Sequence, residues 1–188
     1  MITAVNHMPL IDRITTTLLK PHTQKLREAR LIVADCNLPA DTLFWLASLG
    51  VPIAVDAVSS AKADRLAPLI GRIDILKCTY PEATRITGRT DSPAELASAL
   101  CIENTKIVLM SMGAEPLILA TPSEVMSFTP PPARIISVTG AGDALFASFI
   151  HQYISGSQIT ICAEAGLRAA AITMGCRQAV HPEIASLC

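Results

Sequence analysis

Four short apolar runs, separated by stretches long enough for helices, constrain the fold more than any other feature of the sequence. They are residues 31–35, 51–56, 73–77 and 106–110, and the first two end in aspartate. Apolar runs of this length without polar alternation are typical of strands buried on both faces of a parallel sheet. Parallel strands need crossover connections, so the pattern predicts βαβ units with right-handed crossovers.

Helix start and stop signals occupy the stretches between these runs. Pro39 opens a helix that Gly50 closes, and Ser92 heads a capping box at the start of another. An amino-terminal series with helical spacing is expected to stop at Pro21, because proline removes a hydrogen-bond donor. Further helices are predicted over residues 61–70, 81–87, 144–153 and 157–174.

The pattern changes after the fourth apolar run. Residues 116–120 and 125–128 flank a turn-forming stretch and predict a hairpin at the end of the sheet. Three prolines, residues 130–132, then form a stiff connector into the short apolar run 134–137. With 51% hydrophobic and 16% charged residues, the chain suits one α/β domain over residues 1–188, with helices on both faces of a mainly parallel sheet.

Composition argues against several kinds of partner. The net charge of −1 gives no electrostatic basis for binding nucleic acid or an anionic membrane. No apolar run approaches the roughly 18 residues of a membrane span. The six cysteines form no C-x-x-C pair and follow no secretory leader, which predicts buried free thiols of a cytoplasmic protein rather than a disulfide or zinc framework. These cysteines are Cys36, Cys78, Cys101, Cys162, Cys176 and Cys188.

Residues 137–143, Ser-Val-Thr-Gly-Ala-Gly-Asp, place two glycines and a carboxylate just ahead of a predicted helix. Gly140 and Gly142 lack Cβ atoms, so the backbone N–H groups can approach a ligand, and the start of a helix adds unpaired donors. Such an arrangement can bind a phosphate without a cationic side chain. Asp143 could accept a proton from a hydroxyl held nearby. In isolation, the motif is more often a strand-to-helix turn with Asp143 as a cap.

The longer segment 137–149 resembles the second signature of the PfkB (ribokinase-like) carbohydrate kinase family, whose core is Asp-Thr-x-Gly-Ala-Gly-Asp. The matching positions are Gly140, Ala141, Gly142, Asp143, Ala147 and Phe149, and the departures are Ser137, Val138 and Ser148. The resemblance implies a ribokinase-like three-layer αβα fold and an ATP-dependent kinase. It implies that Asp143 is the catalytic base, in one catalytic turn with Gly140, Ala141 and Gly142, and that the nucleotide contacts Thr139, Gly140 and Gly142. The N–H groups of Ala141, Gly142 and Asp143 are expected to hold the transferred phosphoryl group.

A second segment, residues 77–82, follows the third predicted strand, where open α/β sheets bind ligands. It resembles the family's Asn-x-x-Glu motif, with Thr79 in the Asn position. The resemblance implies that Glu82 helps to hold Mg²⁺ and water on the nucleotide phosphates. Taken alone, Glu82 would more often be a solvated acid at a helix start. Ser111 and Gly113 resemble the family's nucleotide-phosphate turn. We expect Thr79, Glu82, Ser111 and Asp143 to converge on one sheet edge, because each follows a predicted strand.

Two further implications concern ligands. The family's acidic residue at the position of Ser137 helps to bind an activating monovalent cation, so serine there speaks against such a cation in this chain. The run 55–59 with Lys62, and the run 31–38, resemble the pseudouridine-kinase-like branch. That similarity implies a nucleoside substrate, pseudouridine or a related ribosyl compound, phosphorylated at a primary hydroxyl. A simple sugar is the alternative.

The resemblance covers only the carboxyl-terminal part of the family pattern. The Gly-Gly-x-x-x-Asn signature and the small β lid have no counterpart in this sequence. We therefore expect either a truncated form or a site that another chain, for example in a homodimer, completes. An apolar face should be exposed where the absent part would pack. Residues 163–182 correspond to the family's adenine-side helix and loop.

Other functions remain as alternatives. A non-catalytic remnant or nucleotide-binding module is favoured by the missing lid and by the departures at Ser137, Thr79 and Pro116. A dinucleotide-binding oxidoreductase is weaker, because the third glycine of its fingerprint would fall at Leu145 and the motif comes late in the chain. A P-loop is excluded by the lack of Gly-Lys-Ser/Thr.

Overall fold

The computed structural model of this chain describes residues 9–186. The strands are β1 (Ile32–Asp35), β2 (Ile53–Asp56), β3 (Ile75–Thr79), β4 (Ile107–Met112), β5 (Glu115–Ala120) and β6 (Val125–Phe128). The helices are α1 (Thr16–Leu19), α2 (Thr23–Arg27), α3 (Ala40–Ala47), α4 (Ser60–Ala63), α5 (Tyr80–Thr87), α6 (Pro93–Leu100), α7 (Ala141–Ile154) and α8 (Ile159–Met174). Short 3₁₀ turns lie at Ile11–Arg13, Lys20–His22, Ala67–Leu69 and Pro182–Ser186.

All six strands form one sheet in the order β1-β2-β3-β4-β5-β6. The first four strands are parallel to one another, whereas β5 runs antiparallel to β4 and β6 runs antiparallel to β5. The strands lie within two residues of their predicted positions. The mainly parallel sheet and the terminal hairpin are therefore confirmed.

Helices cover both faces of this sheet and complete the three layers. Because successive parallel strands add in one direction through right-handed crossovers, helices α3 to α6 lie on the same face. Their apolar side chains, including Leu43 and Leu96, form one core with Val55 and Leu76 of the sheet. Helices α7 and α8 cover the other face and form a second core. Its members include Leu145, Phe149, Cys162 and Leu167 from the helices, and Ala54, Ile75 and Leu109 from the strands.

Two prolines act differently from expectation. Pro21 lies in the 3₁₀ turn Lys20–His22, from which α2 follows directly, so the helical stretch does not stop there. Proline is tolerated in a first turn, where its missing N–H would have no partner. The single helix predicted over residues 61–70 is wrong. It divides into α4 and the 3₁₀ turn Ala67–Leu69, because Pro68 cannot donate the hydrogen bond that would continue an α-helix.

Residues 134–137 form no strand, so the expectation that a strand precedes the glycine motif is wrong. The backbone N–H groups of Ile136 and Ser137 donate to the carbonyl oxygen of Met174, at 2.8 and 3.2 Å. The three preceding prolines cannot donate to a sheet ladder, which keeps this connector outside the sheet. The connector is instead fixed to the end of α8.

Helix α7 starts at Ala141, three residues earlier than predicted, and is only partly buried. Asp143, Ala147 and His151, spaced four residues apart, are exposed and form a solvent-facing stripe. The first turn therefore holds Asp143 at the surface rather than in the core.

The cysteines within residues 9–186 are free thiols. Cys36, Cys78 and Cys162 are buried, and Cys101 and Cys176 are half-buried, while Cys188 lies outside the described residues. Burial raises the pKa of Cys36 to about 12 and raises the pKa of Cys78 as well. These two thiols therefore stay protonated at neutral pH. In the described part of the chain, no helix is long and apolar enough to cross a membrane.

Candidate active site

Thr79 and Ser111 lie side by side at the carboxyl edge of the sheet. They are register partners at the ends of the parallel strands β3 and β4, and Gly113 follows in the tight connection to β5 with φ 68°. A cavity of about 520 Å³ opens at this edge. It is lined by Thr79, Tyr80, Pro81, Pro93, Ser111, Met112 and Gly113. The three residues predicted to contact nucleotide phosphates here thus share one cavity.

Glu82 lies in the first turn of α5, directly beside this cavity. Its Oε2 accepts a hydrogen bond from the backbone N–H of Thr79 at 2.7 Å, and the residue is only 5% exposed. The alternative interpretation, that Glu82 is a solvated acid at a helix start, is therefore wrong. Its other oxygen, Oε1, makes no hydrogen bond with a described residue, yet it is not among the buried polar atoms that lack a partner. Oε1 must therefore reach solvent, so one oxygen of Glu82 caps α5 and the other is available.

The start of α7 is shaped by a close backbone approach. Gly140 is the residue before the helix and has φ 82°, a conformation that favours glycine. A Cβ at this position would lie 2.0 Å from the carbonyl oxygen of Ala179, in the segment that follows α8. No side chain fits there. Gly140 therefore lets two distant parts of the chain meet at the first turn of α7.

Two backbone N–H groups at this turn have no acceptor among residues 9–186. The N–H of Ala144 donates to the carbonyl oxygen of Gly140 at 2.9 Å, and that of Ala141 donates to Val138 at 3.3 Å. The N–H groups of Gly142 and Asp143 make no hydrogen bond with any of these residues. Free donors in the first turn are the part of a helix that binds anions. The N–H of Ala141, which the sequence also predicts to hold the phosphoryl group, already has a partner.

Asp143 is exposed and makes no hydrogen bond or ion pair within the described part of the chain. The interpretation of Asp143 as a helix cap is therefore wrong, because the cap position belongs to Gly140 and no side chain caps α7. In the same turn, the backbone N–H of Thr139 donates to Ser137 Oγ at 3.2 Å. Among the described residues, a carboxylate without a partner thus lies beside two N–H donors without an acceptor.

A buried ion pair that sequence reasoning missed lies under this turn. Lys77 Nζ donates to Asp56 Oδ1 and Oδ2 at 3.1 and 2.9 Å. Burial raises the pKa of Asp56, while the Lys77 ammonium opposes this rise, and the charge of Asp143 adds a smaller increase. The sequence feature that could have predicted this pair is the presence of two charged residues at the ends of otherwise apolar runs. Asp56 and Lys77 are also register partners on neighbouring strands.

The residues that resemble the pseudouridine-kinase-like branch tie together the loops after β1 and β2. Lys62 donates to the side chain of Asn37, and Arg65 donates to the carbonyl oxygens of Cys36, Asn37 and Leu38. The N–H of Val58 donates to Asp56 Oδ1 at 2.8 Å, and Val58 has an unusual φ of 65°. These contacts brace the sheet edge next to Asp143.

Apolar side chains surround the other side of the α7 start. Ile135, Ile136, Val138 and Val180 are all exposed, on the connector and on the segment that meets Gly140. Nearby on α8, Thr173 is fully buried, and its Oγ1 is the one buried side-chain polar atom within residues 9–186 without a hydrogen-bond partner. An apolar surface thus borders the free N–H groups.

The expected site residues therefore lie at one edge. Thr79, Ser111 and Glu82 lie at the ends of β3 and β4, and the Gly142 backbone is close to Lys77 of β3. Asp143 follows a loop rather than a strand, yet α7 brings it to the same edge from the opposite face. The catalytic and binding roles of these residues stay predictions.

Comparison with known proteins relates the chain to sugar and nucleoside kinases. The family model described as pfkB family carbohydrate kinase matches residues 15–185. The pseudouridine kinase of Escherichia coli (strain K12) is 26% identical over 191 residues, which cover 98% of this chain and 61% of that protein. This chain thus spans about three fifths of that relative.

Solved structures show the same relationship. A carbohydrate kinase from Agrobacterium tumefaciens is 31% identical with a TM-score of 0.76, and the match covers 95% of this chain and 59% of that one. Ribokinase from Thermotoga maritima, at 17% identity, has a TM-score of 0.73, with 88% of this chain and 58% of that chain covered. The latter likeness shows the ribokinase-like fold alone.

Proposed function

Since this chain belongs to the pfkB family of carbohydrate kinases, we propose that its sheet edge takes part in phosphoryl transfer from ATP to a hydroxyl of a sugar or nucleoside. The observation that carries this proposal is the exposed carboxylate of Asp143, which has no partner among residues 9–186, beside the N–H groups of Gly142 and Asp143, which have no acceptor there. Phosphoryl transfer needs mainly positioning and neutralisation of charge, with a base for the attacking hydroxyl. This edge offers these features together.

Each residue has a definite task in this proposal. Asp143 accepts the proton of the substrate hydroxyl while the oxygen of that hydroxyl forms a bond to phosphorus. The N–H groups of Gly142 and Asp143 donate to the oxygens of the transferred group, where negative charge is concentrated. The hydroxyls of Thr79 and Ser111 contact the remaining phosphates. ATP supplies the phosphoryl group, and the bond that breaks is the one to its β-phosphate oxygen.

The residues at this edge also fit a magnesium ion that keeps most of its water. No cluster of three or more His, Cys, Asp or Glu side chains that could hold a metal is found within residues 9–186. Mg²⁺ in kinases is bound through one or two carboxylates, substrate phosphates and water, so such a cluster is not needed. The solvent-reaching Oε1 of Glu82 would hold this hydrated ion. A monovalent cation has less support, because a neutral hydroxyl stands at Ser137.

The nucleotide base would lie against the apolar surface of Ile135, Ile136, Val138 and Val180. A flat aromatic ring gains from covering exposed apolar side chains next to a phosphate site. For the acceptor, we propose pseudouridine or a related ribosyl compound, because of the braced loops with Lys62 and the similarity to a pseudouridine kinase. A simple sugar remains the alternative acceptor.

Phosphoryl transfer can be tested directly with matched acceptors. The chain is incubated with ATP and Mg²⁺ together with pseudouridine, uridine or ribose, and products are detected by mass spectrometry. Uridine carries the same ribose, but its ribose is linked to the base in a different way. It therefore reports whether the base is recognised. Binding of ATP is measured in parallel by calorimetry. A phosphate ester supports the proposal, and the absence of both product and ATP binding would overturn it.

A second candidate, a nucleotide-binding module without catalysis, is favoured by the departures from the family motifs at Ser137, Thr79 and Pro116. In that case ATP binds but no acceptor is phosphorylated. The same experiment therefore separates the two functions.

We further propose that the edge of β1 pairs with a second copy of this chain. Strand β1 pairs only with β2 in the described sheet, and Val33 on β1 is 55% exposed. An open edge with an exposed β-branched side chain favours strand pairing. Light scattering after gel filtration should show association that increases with concentration.

One substitution on each edge strand tests this pairing, and the second serves as the control. Val33→Glu should shift the chain towards the monomer, because a charge would be placed in the paired edge. Val125→Glu, at an exposed position on the opposite edge strand β6, should leave the association unchanged. A wild-type chain that stays monomeric at high concentration would contradict self-association.

A further inference from the structure

We propose that Asp56 and Lys77 are positioning residues whose buried ion pair seats the first turn of α7. This inference rests on the proposed phosphate site, because that turn carries the free N–H groups and Asp143. None of the tasks proposed above for phosphoryl transfer uses either side chain. Their effect on it would act through the backbone of Gly142.

The contact with α7 is close and specific. A Cβ at Gly142 would lie 3.0 Å from Lys77 Nζ and 3.6 Å from its Cε. Lys77 is 7% exposed and Asp56 is 6% exposed, and the ammonium is fixed by the two hydrogen bonds that it donates to Asp56. The amine therefore cannot move aside as the end of a surface lysine could. The fixed ammonium therefore limits the space beside the Gly142 backbone to less than a methyl group needs.

The backbone conformation of Gly142 does not itself require glycine. Gly142 is not among the described glycines with positive φ, unlike Gly140. Its own conformation would accept alanine, so the lack of a side chain there reflects the space that the Lys77 ammonium occupies. The glycine and the lysine therefore fit each other as a pair.

The charges of the pair suit a phosphate-binding turn. Without Lys77, the buried charge of Asp56 would repel both Asp143 and an incoming phosphate, and a buried charge is poorly screened. The ammonium offsets that charge directly behind the N–H groups. The same contact thus supports the turn and removes a repulsion.

The test uses a double variant in which no charge is left buried without a partner. Lys77→Met together with Asp56→Asn removes both charges at similar volume. Lys106→Met is the matched control, because Lys106 Nζ also binds an aspartate, Asp74 Oδ1, at 2.9 Å, but at the amino-terminal ends of β3 and β4. Two quantities are measured for each: amide hydrogen exchange along the chain and the Kd for ATP with Mg²⁺.

We expect the double variant to speed exchange of the amides of residues 144–146 by about 10-fold, with little change in α3. We expect the Kd for ATP to rise by roughly 10-fold, since coupling between neighbouring elements is commonly of that size. Lys106→Met should change neither quantity.

Each other outcome has a definite meaning. Unchanged exchange in α7 would overturn the positioning role, and so would faster exchange spread over the whole chain, which would indicate a loss of general stability. Faster exchange confined to the α7 start, in a chain whose wild type binds no ATP, would leave the positioning role in place and count against the proposed function.

Discussion

Replacing Asp143 by asparagine should lower kcat for phosphoryl transfer by about 10²–10⁴, the usual contribution of a positioned base. The amide keeps the shape of the side chain but removes its negative charge and basicity. Because Asp143 makes no hydrogen bond or ion pair with a described residue, its loss should leave thermal stability nearly unchanged. The Kd for ATP should also change little, since the backbone N–H groups remain. Turnover, melting temperature and Kd are measured on the same preparation.

Asp41→Asn is the matched control for this substitution. Asp41 is also an exposed aspartate in the first turn of a helix, α3, but it lies away from the glycine motif. It should leave turnover unchanged. Near-normal turnover in Asp143→Asn would remove this residue from the proposed mechanism, whatever the control shows.

Much of the fold could be predicted because local patterns decide it. The apolar runs of β1 to β4 are buried strands, and the helices with clear caps, such as the one headed by Ser92, begin where expected. Here the local signal and the tertiary packing agree. Local patterns gave wrong helix bounds at Pro21 and Pro68, because a proline in a first turn and a proline within a helix look alike in sequence.

The site was harder to predict where it depends on contacts between distant residues. The glycine motif identified the free donors of α7, but the pairing of Asp56 with Lys77 depends on the register of two strands. The burial of Glu82 likewise follows from packing of α5 on the sheet, which periodicity does not report. Sequence motifs therefore located the edge, and the structure was needed to show which groups on it are free.

Gly140→Ala should have the largest structural effect of any single methyl group added at this site. The new Cβ would lie 2.0 Å from the carbonyl oxygen of Ala179, so one of the two backbone segments must move. Alanine at φ 82° also costs about 1–2 kcal/mol in the left-handed conformation. Movement of the α7 start would displace the N–H groups of Gly142 and Asp143. A shift of about 1 Å in such a group can cost roughly 10²-fold in activity.

Gly50→Ala separates the two causes. Gly50 has φ 75°, but a Cβ there would meet nothing within 4 Å, so this variant carries the conformational cost alone. We expect Gly140→Ala to unfold more easily by about a further 1–3 kcal/mol, the usual cost of overpacking. Chemical denaturation measures that difference, and calorimetry should show weaker ATP binding only for Gly140→Ala. Equal stability of the two variants would contradict the close approach of Ala179, and unchanged ATP binding would mean that this turn does not hold the nucleotide.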